Sequence, residues 1–156
     1  MRRKDREVTD PERIDEIIFD CQCCRLGLCD QGKAYIVPLN VGFVREDGNR
    51  VLYFHSAKEG RKIDLIARTG WASFEMDSGY ELVAGDVACR YSARYRCVMG
   101  GGPVSFVETA AEKRAGLTAI MRQTTGRDQW TFSDAMLDAV RVIRLNVEEL
   151  SCKERL

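Results

Sequence analysis

Tyr53-Phe54-His55-Ser56-Ala57-Lys58-Glu59-Gly60-Arg61-Lys62 is the stretch that decides how this chain is read, because the hydrophobic period changes within it. Val51, Tyr53 and His55 alternate with Leu52, Phe54 and Ser56 as two faces of a strand, and Ile63, Ile66 and Ala67 then recur at helical spacing. The pattern predicts a strand over 51–56 and a helix over 60–68. Such a junction offers free backbone N–H groups and the positive end of a helix dipole. Here it adds the Ser56 hydroxyl and the side chains of Lys58, Arg61 and Lys62, which together suit a phosphate. The plainer alternative is that these cations are solvated and that His55, the one histidine, is a hydrogen-bonded structural residue.

Length and composition (156 residues, 45% hydrophobic, 31% charged) predict one domain over 1–156 with a full core. Lys plus Arg equals Asp plus Glu at 24 each, so nothing in the overall charge points to nucleic acid or an anionic membrane. Attraction for an anion has to be local. The basic start Met1-Arg2-Arg3-Lys4 runs into charged residues instead of an apolar signal core, and no stretch is long enough to span a bilayer. A cytoplasmic location is expected. Seven cysteines, an odd number, fit reduced thiols better than a disulfide framework. Cys21 and Cys24 form a CxxC, but Cys89 and Cys97 are too widely spaced to supply a second ligand pair, so no metal site is assigned. A thioredoxin-like role is also disfavoured, since a helix precedes this motif and a strand follows it. Small buried apolar residues are the remaining reading.

Working outward, Thr9-Asp10-Pro11-Glu12 starts a helix over 11–19 with Ile14, Ile17 and Ile18 on one face. A strand over 24–29, a turn at Asp30-Gln31-Gly32 and a long strand over 34–44 read as a hairpin. Pro38 interrupts the second strand and requires an edge or a bulge, leaving free backbone groups along Val37-Pro38-Leu39-Asn40. After the 60–68 helix come a strand over 71–76, a turn at Asp77-Ser78-Gly79, and extended runs over 80–90 and 95–99. Gly100-Gly101-Gly102 predicts a bulge or bend before 104–107, and its spacing matches no nucleotide-binding fingerprint. Thr109 and Glu112 start a helix that ends near Thr125-Gly126, with Leu117, Ile120 and Met121 on a shared face. Ser133 caps another helix with Met136, Leu137 and Val140 inward, and Ile143, Leu145 and Val147 mark a last strand. Many short strands with a few helices predict a mainly β fold, an antiparallel barrel with peripheral α-helices.

Several of these segments form a joint signature: Cys24-Arg25-Leu26-Gly27-Leu28, Tyr35-Ile36-Val37-Pro38-Leu39-Asn40, Leu52-Tyr53-Phe54-His55-Ser56-Ala57 with Gly60 and Lys62, Tyr91-Ser92 through Tyr95-Arg96, and Phe106-Val107-Glu108. Through them the chain resembles the pyridoxamine 5'-phosphate oxidase-like, FMN-binding split-barrel family, in its nitroimidazole-reductase-related branch. The resemblance spans nearly the whole chain and implies a homodimer with two FMN molecules in clefts at the subunit interface. It implies that Val37, Pro38, Leu39 and Asn40 border the isoalloxazine ring, and that Phe54, His55, Ser56 and Ala57 run beneath the ribityl chain. Lys62, joined by Arg61, would meet the phosphate. Ser92, Arg94 and Tyr95 are assigned to the ring edge or to the partner subunit's cleft. Three positions depart from the family pattern. Cys97 stands where relatives often carry serine, Gly101 where an aromatic often separates two glycines, and Gln123-Thr124 where many carry His-Tyr. Trp130 is a further candidate to cover the flavin.

The activity implied is an oxidoreductase in which flavin N5 passes electrons to a small-molecule acceptor, a nitroaromatic among them, with a reduced nicotinamide, NAD(P)H, as a possible donor. His55 is the one catalytic candidate. Two alternatives stay open: a flavin-binding or storage protein without turnover, and a haem-binding split-barrel relative with His55 as the sole imidazole ligand. Oxidation of pyridoxamine phosphate itself ranks lower, because the expected C-terminal substrate motif is not found.

Overall fold

The Asp10 carboxylate accepts the Glu12 N–H at 3.2 Å and Pro11 takes the first helical position, so α1 (Pro11–Asp20) starts where its sequence directs. The computed structural model describes residues 3–156; Met1 and Arg2 of the basic N-terminal stretch lie outside them. Ile14, Ile17 and Ile18 of α1 enter the main core. The chain continues through β1 (Cys23–Asp30), β2 (Lys33–Asn40), β3 (Gly42–Glu46), β4 (Asn49–Ser56), α2 (Arg61–Thr69), β5 (Trp71–Val83) and β6 (Ser92–Phe106). It closes with α3 (Ala110–Thr125), α4 (Asp134–Ala139), β7 (Arg141–Asn146) and β8 (Glu149–Arg155).

All named strand pairs are antiparallel, in the order β2-β1-β5-β6-β7-β4-β3, with β8 also on β6. β6 belongs to both halves of the fold. It pairs with β5 from Ser92 to Pro103 and with β8 from Tyr95 to Gly101, then with β7 from Val104 onward. The result is a mainly β, antiparallel split barrel. Leu26, Leu52, Phe54, Met76, Ile143 and Leu145 are fully buried inside it, and a smaller cluster of Val51, Tyr53, Val107, Ala119, Ile120 and Val142 lies under α3.

Five sequence expectations are corrected by the pairing. The strand expected over 34–44 is two strands: the chain leaves β2 at Asn40, passes the fully buried Val41, and β3 pairs with β4 instead of continuing the hairpin. Asp77-Ser78-Gly79 is not a turn. β5 runs through it to Val83, with one extra residue accommodated between Ser78 and Glu81 and Gly79 at φ 63°. Residues 84–91 are a loop with a short 3-10 turn, not strand. The triple glycine neither breaks nor shifts β6. A Cβ at Gly102 would stand 1.8 Å from the Asn146 carbonyl oxygen, so these residues let three strands approach closely. β7 stops at Asn146, and a strand with no sequence expectation, β8, follows it. The helices also differ in face. Gly116, Ala119, Ile120 and Gln123 form the buried side of α3, with Leu117 packed half-buried against it and Met121 only half-buried, and Met136 of α4 is exposed.

Candidate functional site

β4 delivers Ser56 to one end of the barrel, and α2 restarts the chain five residues later with its apolar side, Ile63, Leu65 and Ile66, buried. Gly60 precedes α2 at φ 128°, a backbone that L side chains rarely adopt, and no side chain caps the helix. Ile63 and Asp64 donate to the Gly60 carbonyl, whereas among the described residues no backbone acceptor takes the N–H of Arg61 or Lys62. Lys62 Nζ donates to the buried Ser56 Oγ at 2.8 Å. Among the described residues no carboxylate lies in ion-pair reach of this half-buried ammonium. A cation so placed, beside open helix N–H groups, fits a phosphate.

Arg61 has a different environment. Its Nε and Nη2 donate to Asp30 Oδ2 at 3.1 and 2.9 Å, Arg68 Nη2 donates to Asp30 Oδ1 at 2.7 Å, and the Arg61 guanidinium lies 4.6 Å over the Tyr35 ring. Hydrogen bonds from Arg68 and then Arg61 hold the Asp30 carboxyl below the usual carboxylate range. This group ties the β1–β2 hairpin to α2. Tyr35 lies on β2, which also carries Val37–Asn40, and β2 and β4 are in contact.

The remaining predicted residues fall into three groups. Pro38 and Asn40 are exposed, while Val37 and Leu39 pack against the core; β2 is the terminal strand of its sheet, where a proline is tolerated. His55 and Ala57 are exposed next to buried Ser56, but the Phe54 ring is wholly in the core, so Phe54 can offer a ligand only its backbone. Ser92, Arg94 and Tyr95 stand apart, held by Arg155, Glu81 and Arg6 respectively, and none of these polar contacts reaches the Ser56–Lys62 corner. Trp130 is engaged locally: its Nε1 donates to the Arg127 carbonyl, and Arg127 lies over its ring.

The sequence did not indicate Asp30, Tyr35 or Arg68 as parts of this site. It also gave no sign of the outer sheet surface, where two adjoining grooves of about 460 Å³ each share Gly27, Ile36 and Ser73, with Trp71 beside one and Met99 beside the other. Among the described residues no three metal-ligating side chains gather, and all seven cysteines are free, with Cys21, Cys24 and Cys152 buried. Among the described residues no helix is long and apolar enough to cross a membrane.

No curated protein matches the chain. Among solved structures it is similar to a candidate 5-nitroimidazole antibiotic resistance protein from Bacteroides thetaiotaomicron, with 35% identity and a TM-score of 0.80 over 94% of this chain and 85% of that one. It has the fold of a flavocytochrome from Azotobacter vinelandii (21% identity, TM-score 0.81, 100% of this chain and 72% of that one). The same fold occurs in an FAD- and haem-binding protein from Mycobacterium smegmatis (18% identity, TM-score 0.80, 96% and 73%). The family model described as pyridoxamine 5'-phosphate oxidase matches residues 10–154, and the chain belongs to that family.

Proposed function

We propose that this protein binds FMN at the Ser56–Lys62 corner as a homodimer and uses it as an oxidoreductase that reduces a small acceptor, with nitroaromatics the favoured class. The observation that carries the reading is the half-buried Lys62 ammonium, bonded to Ser56 and lacking a carboxylate partner among the described residues. One such cation matches one phosphate, since Asp30 already occupies Arg61 and Arg68. That favours FMN over a flavin with a diphosphate. Membership in the family and the 35% identity to a candidate nitroimidazole resistance protein support the choice of cofactor and acceptor.

When bound, FMN supplies a hydride-accepting and hydride-donating atom. The chain's own residues do the rest. Lys62 and the open N–H groups of Arg61 and Lys62 hold the phosphate, Ser56 orients the ammonium, and Pro38 and Asn40 present an exposed strand edge to the ring. The exposed His55 imidazole, one residue from Ser56, holds or moves a proton at the acceptor.

Purified protein should show a flavin absorption spectrum, or acquire one on FMN addition at one FMN per chain. Lys62→Ala should raise the Kd for FMN at least about tenfold, by loss of a charge-assisted contact, and leave that for riboflavin nearly unchanged. A colourless protein that takes up no FMN overturns the reading. Oxidation of NADH or NADPH with a nitroimidazole tests the enzymatic half; a yellow protein inert to every acceptor would be a flavin binder without turnover.

A further inference from the structure

Among the described residues, seven of the ten exposed large hydrophobic residues fall on two features of the sheet. Tyr80 (70% exposed), Leu82 (59%), Val87 (50%) and Tyr91 (51%) belong to the far end of the β5–β6 hairpin, whereas Ile36, Trp71 and Met99 belong to the grooved outer surface. Within the hairpin, residues 81–83 pair with 92–94 and with no third strand: β1 meets β5 only at Ser73–Glu75, and β8 joins β6 only from Tyr95. This is a two-stranded arm that projects beyond the sheet. Such ribbons are marginal in water unless a face is covered. Its charges are paired among themselves, Glu81 with Arg94 and Asp86 with Arg90, so apolar surface is what the arm presents.

The extra residue between Ser78 and Glu81 decides which way the arm looks. Without it Leu82 would share the inward side of Phe74 and Met76; with it, Leu82 falls on the outward side with Ser73, Glu75 and Asp77, opposite Ala93. Arm and grooves thus lie on the same outward side of β5, with the Arg25–Glu75 and Arg25–Asp77 ion pairs between them.

We propose that this arm grips a second copy of the same chain, its side chains seated on the partner's grooved surface around Trp71 and Met99; the proposal rests on the homodimer in the reading above and specifies how it is held. The arm cannot reach the grooves of its own sheet, since Tyr80 lies nine residues, about 30 Å, along β5 from Trp71. A two-fold axis through the middle of β5 places the arm of each protomer opposite Trp71 of the partner subunit, and the contact is made twice. The area fits. With aromatic side chains contributing roughly 150–250 Å² each when buried, the seven residues expose on the order of 700 Å² per chain, against about 800 Å² a side in a standard interface.

The test compares wild type with Leu82→Asp, and with Val87→Ser/Tyr91→Ser, which lies outside the strand ladder and stands in should the charge disturb β5. All are made in a Trp130→Phe background, so that Trp71 is the only indole, and far-UV circular dichroism checks folding. Sedimentation should give twice the chain mass for the parent and at least a tenfold weaker dimer for the arm variants. Acrylamide quenching of Trp71 should rise in parallel. A variant that stays dimeric with Trp71 equally protected overturns the arm proposal, and normal FMN binding by the parent then leaves the functional reading standing. A monomeric parent overturns both the arm and the homodimer, and failure of the parent to bind FMN removes the functional reading by itself.

Discussion

Lys62 and Arg61 are adjacent in sequence, yet one is held for a ligand and the other is held by the protein. Asp30 makes the difference by drawing in both Arg61 and Arg68. Replacing Asp30 by Asn keeps an acceptor for the guanidiniums and removes the compensating charge, so the field at Lys62 becomes more positive. Phosphate-bearing flavin should then bind about two- to fivefold tighter at low salt, and the gain should vanish at about 1 M salt, where the Debye length is about 3 Å. Fluorescence titration of FMN at two ionic strengths checks this. Gln123 gives a second prediction. Its Oε1 accepts the Phe43 N–H at 2.8 Å, and its Nε2 donates to the Ile18 and Cys21 carbonyls at 2.8 and 2.6 Å. Gln123→Leu leaves those buried groups unmet and should cost about 2–4 kcal/mol in urea unfolding. The Ser56–Lys62 pair was legible because a strand-to-helix junction brings such neighbours together. The roles of Asp30 and Gln123 were not, since no local pattern reports partners 31 or 80 residues away.

Among the elements, β6 leaves its glycines little room for a side chain. Gly102→Ala would drive a methyl into the Asn146 carbonyl, a backbone atom with no freedom to withdraw. The loss should be at least about 3 kcal/mol, read as a collapse of the thermal transition or of soluble yield. Local chemistry made the helix starts readable: Asp10, Thr109 and Ser133 each accept a backbone N–H as caps. It also made the β1–β2 hairpin readable, with Gln31-Gly32 at positive φ. The failures lie where the pairing partner decides. Val41 looks like any strand residue although the chain changes neighbours there, and Asp77-Ser78-Gly79 has turn composition although β5 runs on through it along β6, with a bulge after Ser78. β8 escaped notice because Lys153-Glu154-Arg155 hides its alternation under charge.

For the whole molecule, buried thiols set the alkaline limit. Burial pushes the Cys21 and Cys152 thiols up to about 11, and raises Cys24 as well. A thiol whose pKa is raised by folding contributes stability that is fully present below its unfolded value of about 8.5 and is lost as pH rises through the folded value. The urea midpoint should therefore fall steadily above about pH 8.5, and Cys152→Ala should flatten that fall. The acid limb has the opposite sign. Asp30, bonded by Arg68 and Arg61, and Glu154, bonded chiefly by Arg13, are held below their ordinary range. Their contribution is present above about pH 4 and disappears as pH drops further. Unfolding midpoints measured across both limbs test the two signs together.

Sharing one strand between both halves of the barrel also has a cost in time. β6 needs β7 and β8, which come from Arg141–Asn146 and Glu149–Arg155. A nascent chain that has emerged only as far as α4 holds a long strand with an unpaired edge and a core that cannot shut. During translation, then, this protein depends on whatever shields that edge until the final strands leave the ribosome.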